Sequence, residues 1–150
     1  MVEVRRENIM GLTVDILEFN HGVETVESAS RESGEPATKI VKTLLLKVDD
    51  EYLVAIVRGD KAINFDKLSM LLGKHAAMAK AREVRQVLGV DVGAVTPLSN
   101  KVLSLRVIMD PSVLENEYVL CGGGSRNTLI KINTRDLVDL LKPEFIDAFE

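Results

Sequence analysis

Short runs in which apolar and polar positions alternate dominate this chain, which predicts more strands than helices. Thr13–Phe19 alternates in part and reads as a strand, broken by Asn20-His21-Gly22. The residues before it read as a short helix ending near Gly11. Thr25 is placed to cap a helix that runs to about Ser33 and stops at Gly34. A strand over Ile40–Val48 follows, and Asp49-Asp50-Glu51 turns the chain back into a second strand over Tyr52–Val57. Asn64 or Asp66 starts a helix through Leu72 that closes at Gly73, and Lys74–Met78 reads as a short strand. Lys80–Leu88 carries Val84, Val87 and Leu88 on one helical side and ends at Gly89. Val92–Pro97 reads as a strand entering a turn, Val102–Met109 as a strand, and Asp110-Pro111-Ser112 as a turn or helix start. Tyr118–Cys121 and Leu129–Ile132 are strands on either side of a loop over 122–127. Thr134 caps a last helix, Arg135–Leu141, stopped by Pro143. Many of the strands are joined as hairpins, so the pattern predicts an α+β fold: a mixed, largely antiparallel sheet with helices packed outside. No Pro/Ser-rich linker interrupts it, and a single domain over 1–150 is expected.

One position breaks the alternation. Ile40, Lys42, Leu44, Leu46 and Val48 share a strand face, while Val41, Thr43, Leu45 and Lys47 share the other. A lysine in an otherwise apolar row must reach water, find a partner or shift its pKa. Two readings stand open: a side chain that snorkels from a strand end into solvent, or a cation at the mouth of a pocket.

Composition narrows the classes. The chain has 150 residues and a formal net charge of −4, which argues against avid nonspecific binding to nucleic acid and predicts no DNA partner. Tryptophan is absent and aromatic residues make up 4%, too few for base stacking to be the main binding mode. One cysteine allows no internal disulfide and fits a reducing cytoplasm. No apolar run approaches the roughly 20 residues that span a bilayer, and no signal peptide follows the N-terminal Met-Val-Glu-Val-Arg-Arg-Glu, so no membrane partner is expected.

Candidate chemistry is sparse. His21 and His75 lie far apart and no Cys-x-x-Cys pair exists, so neither a zinc site nor another cofactor is expected. Cys121, beside a glycine run, is a conceivable thiol nucleophile, although a small apolar strand residue is the plainer reading. Gly122-Gly123-Gly124 fits neither a Walker motif nor Gly-x-Gly-x-x-Gly, since Asn127 holds the sixth position. Its bare backbone could form an anion-binding nest or oxyanion donors, or could be a flexible hairpin tip. Gly93-Ala94-Val95-Thr96-Pro97 is a second turn of this kind.

The order and spacing of four pieces resemble the YbaK/EbsC family, which includes the editing domain inserted in bacterial prolyl-tRNA synthetases. The pieces are His21 with Thr25 and its helix, the strand Ile40-Val41-Lys42-Thr43-Leu44, the turn Val92–Leu98 with Asp110 beyond it, and the loop Gly122–Asn127 followed by Arg135-Asp136-Leu137. The resemblance covers roughly Leu17 to Leu141. It implies a barrel-like sheet and an aminoacyl-tRNA deacylase that hydrolyses mischarged tRNA in trans, with a synthetase as a further partner. It also implies that Lys42 is the essential residue, that Gly93, Ala94, Pro97, Gly122, Gly123 and Gly124 line the substrate, and that His21, Thr43 and Asp110 support the site. Lys39, Lys101 and Arg126 are candidate phosphate contacts. Phe19, Thr96 and Ser99 depart from the family pattern, at positions where many members have tyrosine, serine and glycine. The rival expectation is a non-catalytic module that holds an aminoacyl or nucleotide group, or docks on a synthetase.

Overall fold

The computed structural model describes residues 2–150 and divides the strands between two sheets. The first is ordered β1-β2-β8-β7, from β1 (Val2–Ile9), β2 (Leu12–Phe19), β7 (Tyr118–Gly122) and β8 (Thr128–Asn133), all antiparallel. The second is ordered β5-β3-β4-β6-β9, from β3 (Val41–Val48), β4 (Glu51–Arg58), β5 (Ala76–Met78), β6 (Arg106–Met109) and β9 (Glu144–Phe145). Here β3 pairs antiparallel with β4 and β5, whereas β6 runs parallel to β4 and to β9. The fold is therefore α+β with a mixed, mostly antiparallel strand set. The sheets do not close into a barrel. They share one core, in which Val41, Leu45, Val54, Ile56 and Met109 meet Val14, Ile16, Val119, Ile130 and Ile132. A parallel bridge between Ile40 and Leu120 ties them at one edge.

The second sheet is covered on its other face as well. Leu46, Val48, Leu53, Ala55, Val57 and Ile108 pack there against Leu68 of helix α2 (Phe65–Leu72) and against Phe149. Both faces of β3 are buried, because β3 and β4 form the middle layer. Strands buried on both sides read as near-continuous apolar runs rather than clean alternations.

Several helices are specified by their caps. Thr25 accepts from Ser28 N–H at the start of α1 (Val26–Ser33), and Gly34 ends it at φ 76°. Asn64 caps α2 and Gly73 ends it at φ 68°. α3 spans Ala81–Leu88 and α4 spans Asn100–Leu103, with Ser99 accepting from Val102 N–H. α5 spans Thr134–Leu141, and Asn133 rather than Thr134 is its cap.

Three further expectations are corrected. Residues 2–9 are a strand, not a helix, paired along their whole length with β2 from Val2–Phe19 to Ile9–Leu12. The turn between them puts Met10 at φ 53° and Gly11 at φ 83°, the two left-handed residues that match hairpin twist. Val92–Ala94 is a turn of 3-10 helix, not a strand. The strand expected over 102–109 begins only at Arg106, because Ser99 caps a helical turn that takes Val102 and Leu103.

One surface cluster carries a pH signature. Glu83 of α3 accepts from the Tyr52 hydroxyl and from Lys80 N–H at 2.8 Å, with Lys47 at 3.4 Å. The Tyr52 bond foremost, then the Lys80 amide, hold its carboxyl at about 2 instead of 4.5. Its folded-state pKa is depressed, so its contribution is complete above 4.5 and is lost as pH falls toward 2. Denaturant melts at pH 6 and pH 3 should show that Glu83→Gln loses less stability on acidification than the wild type.

Candidate functional site

At the edge where Ile40 bridges Leu120, the two sheets leave a cavity of about 310 Å³. The start of β3 supplies Lys42 and Thr43, the 3-10 turn supplies Gly93, and the end of β7 supplies Gly122. The start of α1 closes one side with Thr25, Val26 and Ala29. Leu129 and Ile40 add to an apolar wall, while Ser125 and Thr128 supply hydroxyls.

The walls are held by backbone contacts that glycine alone permits. A Cβ on Gly122 would lie 2.1 Å from the carbonyl oxygen of Val95, so β7 and the 93–97 turn touch main chain to main chain. The glycine loop is not a free hairpin tip. Gly123 N–H donates to Thr128 O at 2.9 Å, and the loop is sewn to residues 19–23 by Phe19 N–H to Asn127 O (2.9 Å) and Val23 N–H to Arg126 O (2.7 Å).

Lys42 stands in the row of Leu44 and Leu46, half-buried, and its ammonium donates to the carbonyl of Lys61. Burial lowers its pKa, and Asp60 and then Asp110 pull it back up. The loop carrying Lys61 is strapped to the C-terminal segment. Ala62 and Glu150 exchange backbone hydrogen bonds (2.8 and 2.9 Å), and Asn64 N–H donates to Ala148 O (2.8 Å). Thr43 points to the inter-sheet side, and its buried Oγ1 has no hydrogen-bond partner among the described residues. A buried unpaired hydroxyl is costly, so this one marks a strained point in the wall of the cavity.

Of the residues expected to form the site, Lys42, Thr43, Gly93 and Gly122 converge on the cavity. Asp110 lies behind it, 2% exposed, where its carboxylate accepts from Ser112 N–H and hydroxyl and from Arg58 N–H. Ala94, Pro97, Gly123 and Gly124 sit in the flanking turns without lining it, and His21 is exposed in the turn before α1. Arg126 borders the cavity through Glu24, 3.8 Å away, whereas Lys39 lies 4.2 Å over the Tyr118 ring and Lys101 is exposed on α4. Sequence reasoning passed over Glu24, Ser125 and Thr128, which belong to loops whose mutual placement depends on the Val23–Arg126 and Phe19–Asn127 bonds.

Cys121 is fully buried between the sheets, and burial pushes its thiol up to about 12. A thiol kept protonated and out of reach is no nucleophile. The native protein should resist alkylation by iodoacetamide and be labelled stoichiometrically once unfolded, as mass spectrometry would show.

The chain that carries this cavity has relatives among known proteins. Residues 20–140 match the model of a family described as the aminoacyl-tRNA editing domain. The chain belongs to this family. It is similar to proline–tRNA ligases, at 34% identity over 70% of the chain for that of Thermosipho africanus and 32% over 86% for that of Caldicellulosiruptor bescii. It spans only 18% and 22% of those two relatives, about a fifth of their length. Among solved structures it is similar to the hypothetical protein APE2540, with 31% identity, a TM-score of 0.80 and 93% of each chain covered. It also shares the fold of a candidate trans-editing enzyme for prolyl-tRNA synthetase, at 24% identity and a TM-score of 0.82, over 91% of this chain and 87% of the other. The YbaK-type resemblance read from the order and spacing of the four pieces is thereby borne out as membership of the family.

Proposed function

We propose that this chain, folding as one domain, is a deacylase that acts in trans on mischarged tRNA and cleaves the ester between amino acid and terminal ribose. The observation that carries this reading is a lysine and two bare-backbone turns, at Gly93 and Gly122, walling one cavity in a member of the editing-domain family. An aminoacyl ester is already activated, so a positioned water and well-placed donors suffice. Water adds to the ester carbonyl, its oxygen becomes an oxyanion, and collapse expels the ribose oxygen, which takes a proton. The products are a free amino acid and tRNA with its terminal hydroxyl restored.

Lys42 supplies the positive charge for the oxyanion. One of its three protons is committed to Lys61 O, which fixes the side chain and leaves two to donate. Backbone groups beside Gly93 and Gly122 shape the acyl pocket, with Thr43 in the wall behind them. The net charge of −4 implies that affinity for tRNA is modest and centred on local cations such as Arg126. The cytoplasm, where charged tRNA and its synthetases meet, is the place of action that this reading requires.

The decisive experiment is a panel of tRNAs charged with each amino acid, assayed for release over the uncatalysed rate. Turnover of at least one member supports the proposal. Binding without release from any member favours a non-catalytic module instead.

A further inference from the structure

The cavity holds a charge that the hydrolytic reading leaves unused. Apart from Lys42, the ionisable side chain lining it among the described residues is Glu24, in the loop between β2 and the cap of α1. We propose that Glu24 binds the substrate's α-ammonium, and so restricts the site to acyl groups with a free α-amine. This rests on the deacylase reading for its substrate and adds what the site recognises in it.

The placement of Glu24 is built rather than incidental. Val23 N–H donates to Arg126 O at 2.7 Å, which fixes the backbone beside it. The carboxylate folds over Gly22, where a Cβ would lie 2.6 Å from Oε1. Gly93 leaves room from the other side, since its Cβ would lie 3.0 Å from Arg126 Nη1 and 3.3 Å from the Cβ of Glu24. The Glu24–Arg126 pair therefore lies across bare backbone at the cavity wall. At 3.8 Å the pair is an ion contact, too long for a hydrogen bond, and the Glu24 side chain is 32% exposed. Its oxygens keep acceptor capacity for a ligand.

The chemistry of the substrate matches. An α-amino group ordinarily titrates at roughly 8 and is largely protonated at neutral pH. An ammonium that leaves water for a half-enclosed cavity needs a carboxylate or several acceptors. An aminoacyl ester brings a cation at its α-carbon and develops an anion at its carbonyl. A cavity walled by one carboxylate and one ammonium is complementary to that pair. An N-acylated or α-hydroxyacyl ester has no cation to offer and leaves Glu24 unpaired.

The test uses two non-hydrolysable probes: 3′-alanylamido-3′-deoxyadenosine and its propionylamido counterpart, which lacks only the α-amine. Alanine is chosen because its methyl side chain is small enough not to be excluded by size. Calorimetric titration of the wild type should show the alanyl probe binding at least about tenfold more tightly, the effect of one hydrogen bond to a charged group. Glu24→Gln, nearly isosteric, should bring the two probes to equal affinity without weakening the propionyl probe. Gly22→Ala, which displaces the carboxylate through the far end of a flexible side chain, should shrink the preference in the same direction. Equal wild-type affinities, a preference that survives in Glu24→Gln, or binding of neither probe overturns the proposal. A wild type that prefers the alanyl probe yet releases no amino acid from the tRNA panel sinks the deacylase reading alone.

Discussion

Lys42→Ala is expected to lower kcat for mischarged tRNA by at least about 10²-fold, the usual effect of removing one oxyanion donor. KM should change little, because the interaction lost is one made only in the transition state. The fold should survive. The lysine is half-buried at the start of β3, its neighbours Leu44 and Leu46 keep their packing, and the carbonyl left behind belongs to the partly exposed Lys61, where water can replace the ammonium. A stability loss of no more than about 3 kcal/mol is expected from denaturant melts, the upper worth of one hydrogen bond to a charged group. Lys42→Met, which keeps the stem and deletes the charge, should match the alanine variant in kcat. Wild-type turnover by either variant would remove Lys42 from the mechanism. A loss confined to KM would move its ammonium from the carbonyl to a phosphate.

Gly122→Ala should be the most damaging single-methyl change at the site. The added Cβ would sit 2.1 Å from the carbonyl oxygen of Val95, and neither partner can rotate away because both belong to main chain. Its φ lies outside the left-handed region, so the penalty is contact rather than torsion. Either β7 or the 93–97 turn must shift, and overpacking of this kind costs about 2–3 kcal/mol. The shift also displaces Gly93 and Gly122 as opposed walls of the cavity, so turnover should fall with stability. Urea unfolding and the tRNA assay read the two effects separately. A variant that unfolds at the wild-type midpoint and keeps its turnover would show that this close approach is no constraint.

Legibility in the sequence followed the range of the forces involved. Caps are local, and so Thr25, Asn64, Gly34 and Gly73 marked helix ends within a residue. β1 was misread because its residues are nearly all exposed, so no burial period betrays the strand. Pairing with β2 makes it one. The run after Ser99 was misread because a short apolar segment fits helix or strand equally, and the Ser99 side chain decided for helix. At the site, Lys42 was conspicuous as a charge in an apolar row. Glu24 was not, since an acidic residue in a loop is ordinary until that loop is seen bonded to another a hundred positions away. Asp110 showed the opposite limit. Its position in the order of pieces and its place at a turn or helix start were readable, but its burial behind the cavity was not.

The strap between residues 62–64 and 148–150 gives the site a history as well as a shape. The cavity walls, from β3 through the Gly93 turn and β7 to Leu129 of β8, all precede residues 148–150 in the chain. The segment that steadies the acceptor of the Lys42 ammonium is among the last of these residues to be translated. A chain cut before residue 148 would thus own the cavity walls without the strap that steadies the acceptor of its lysine.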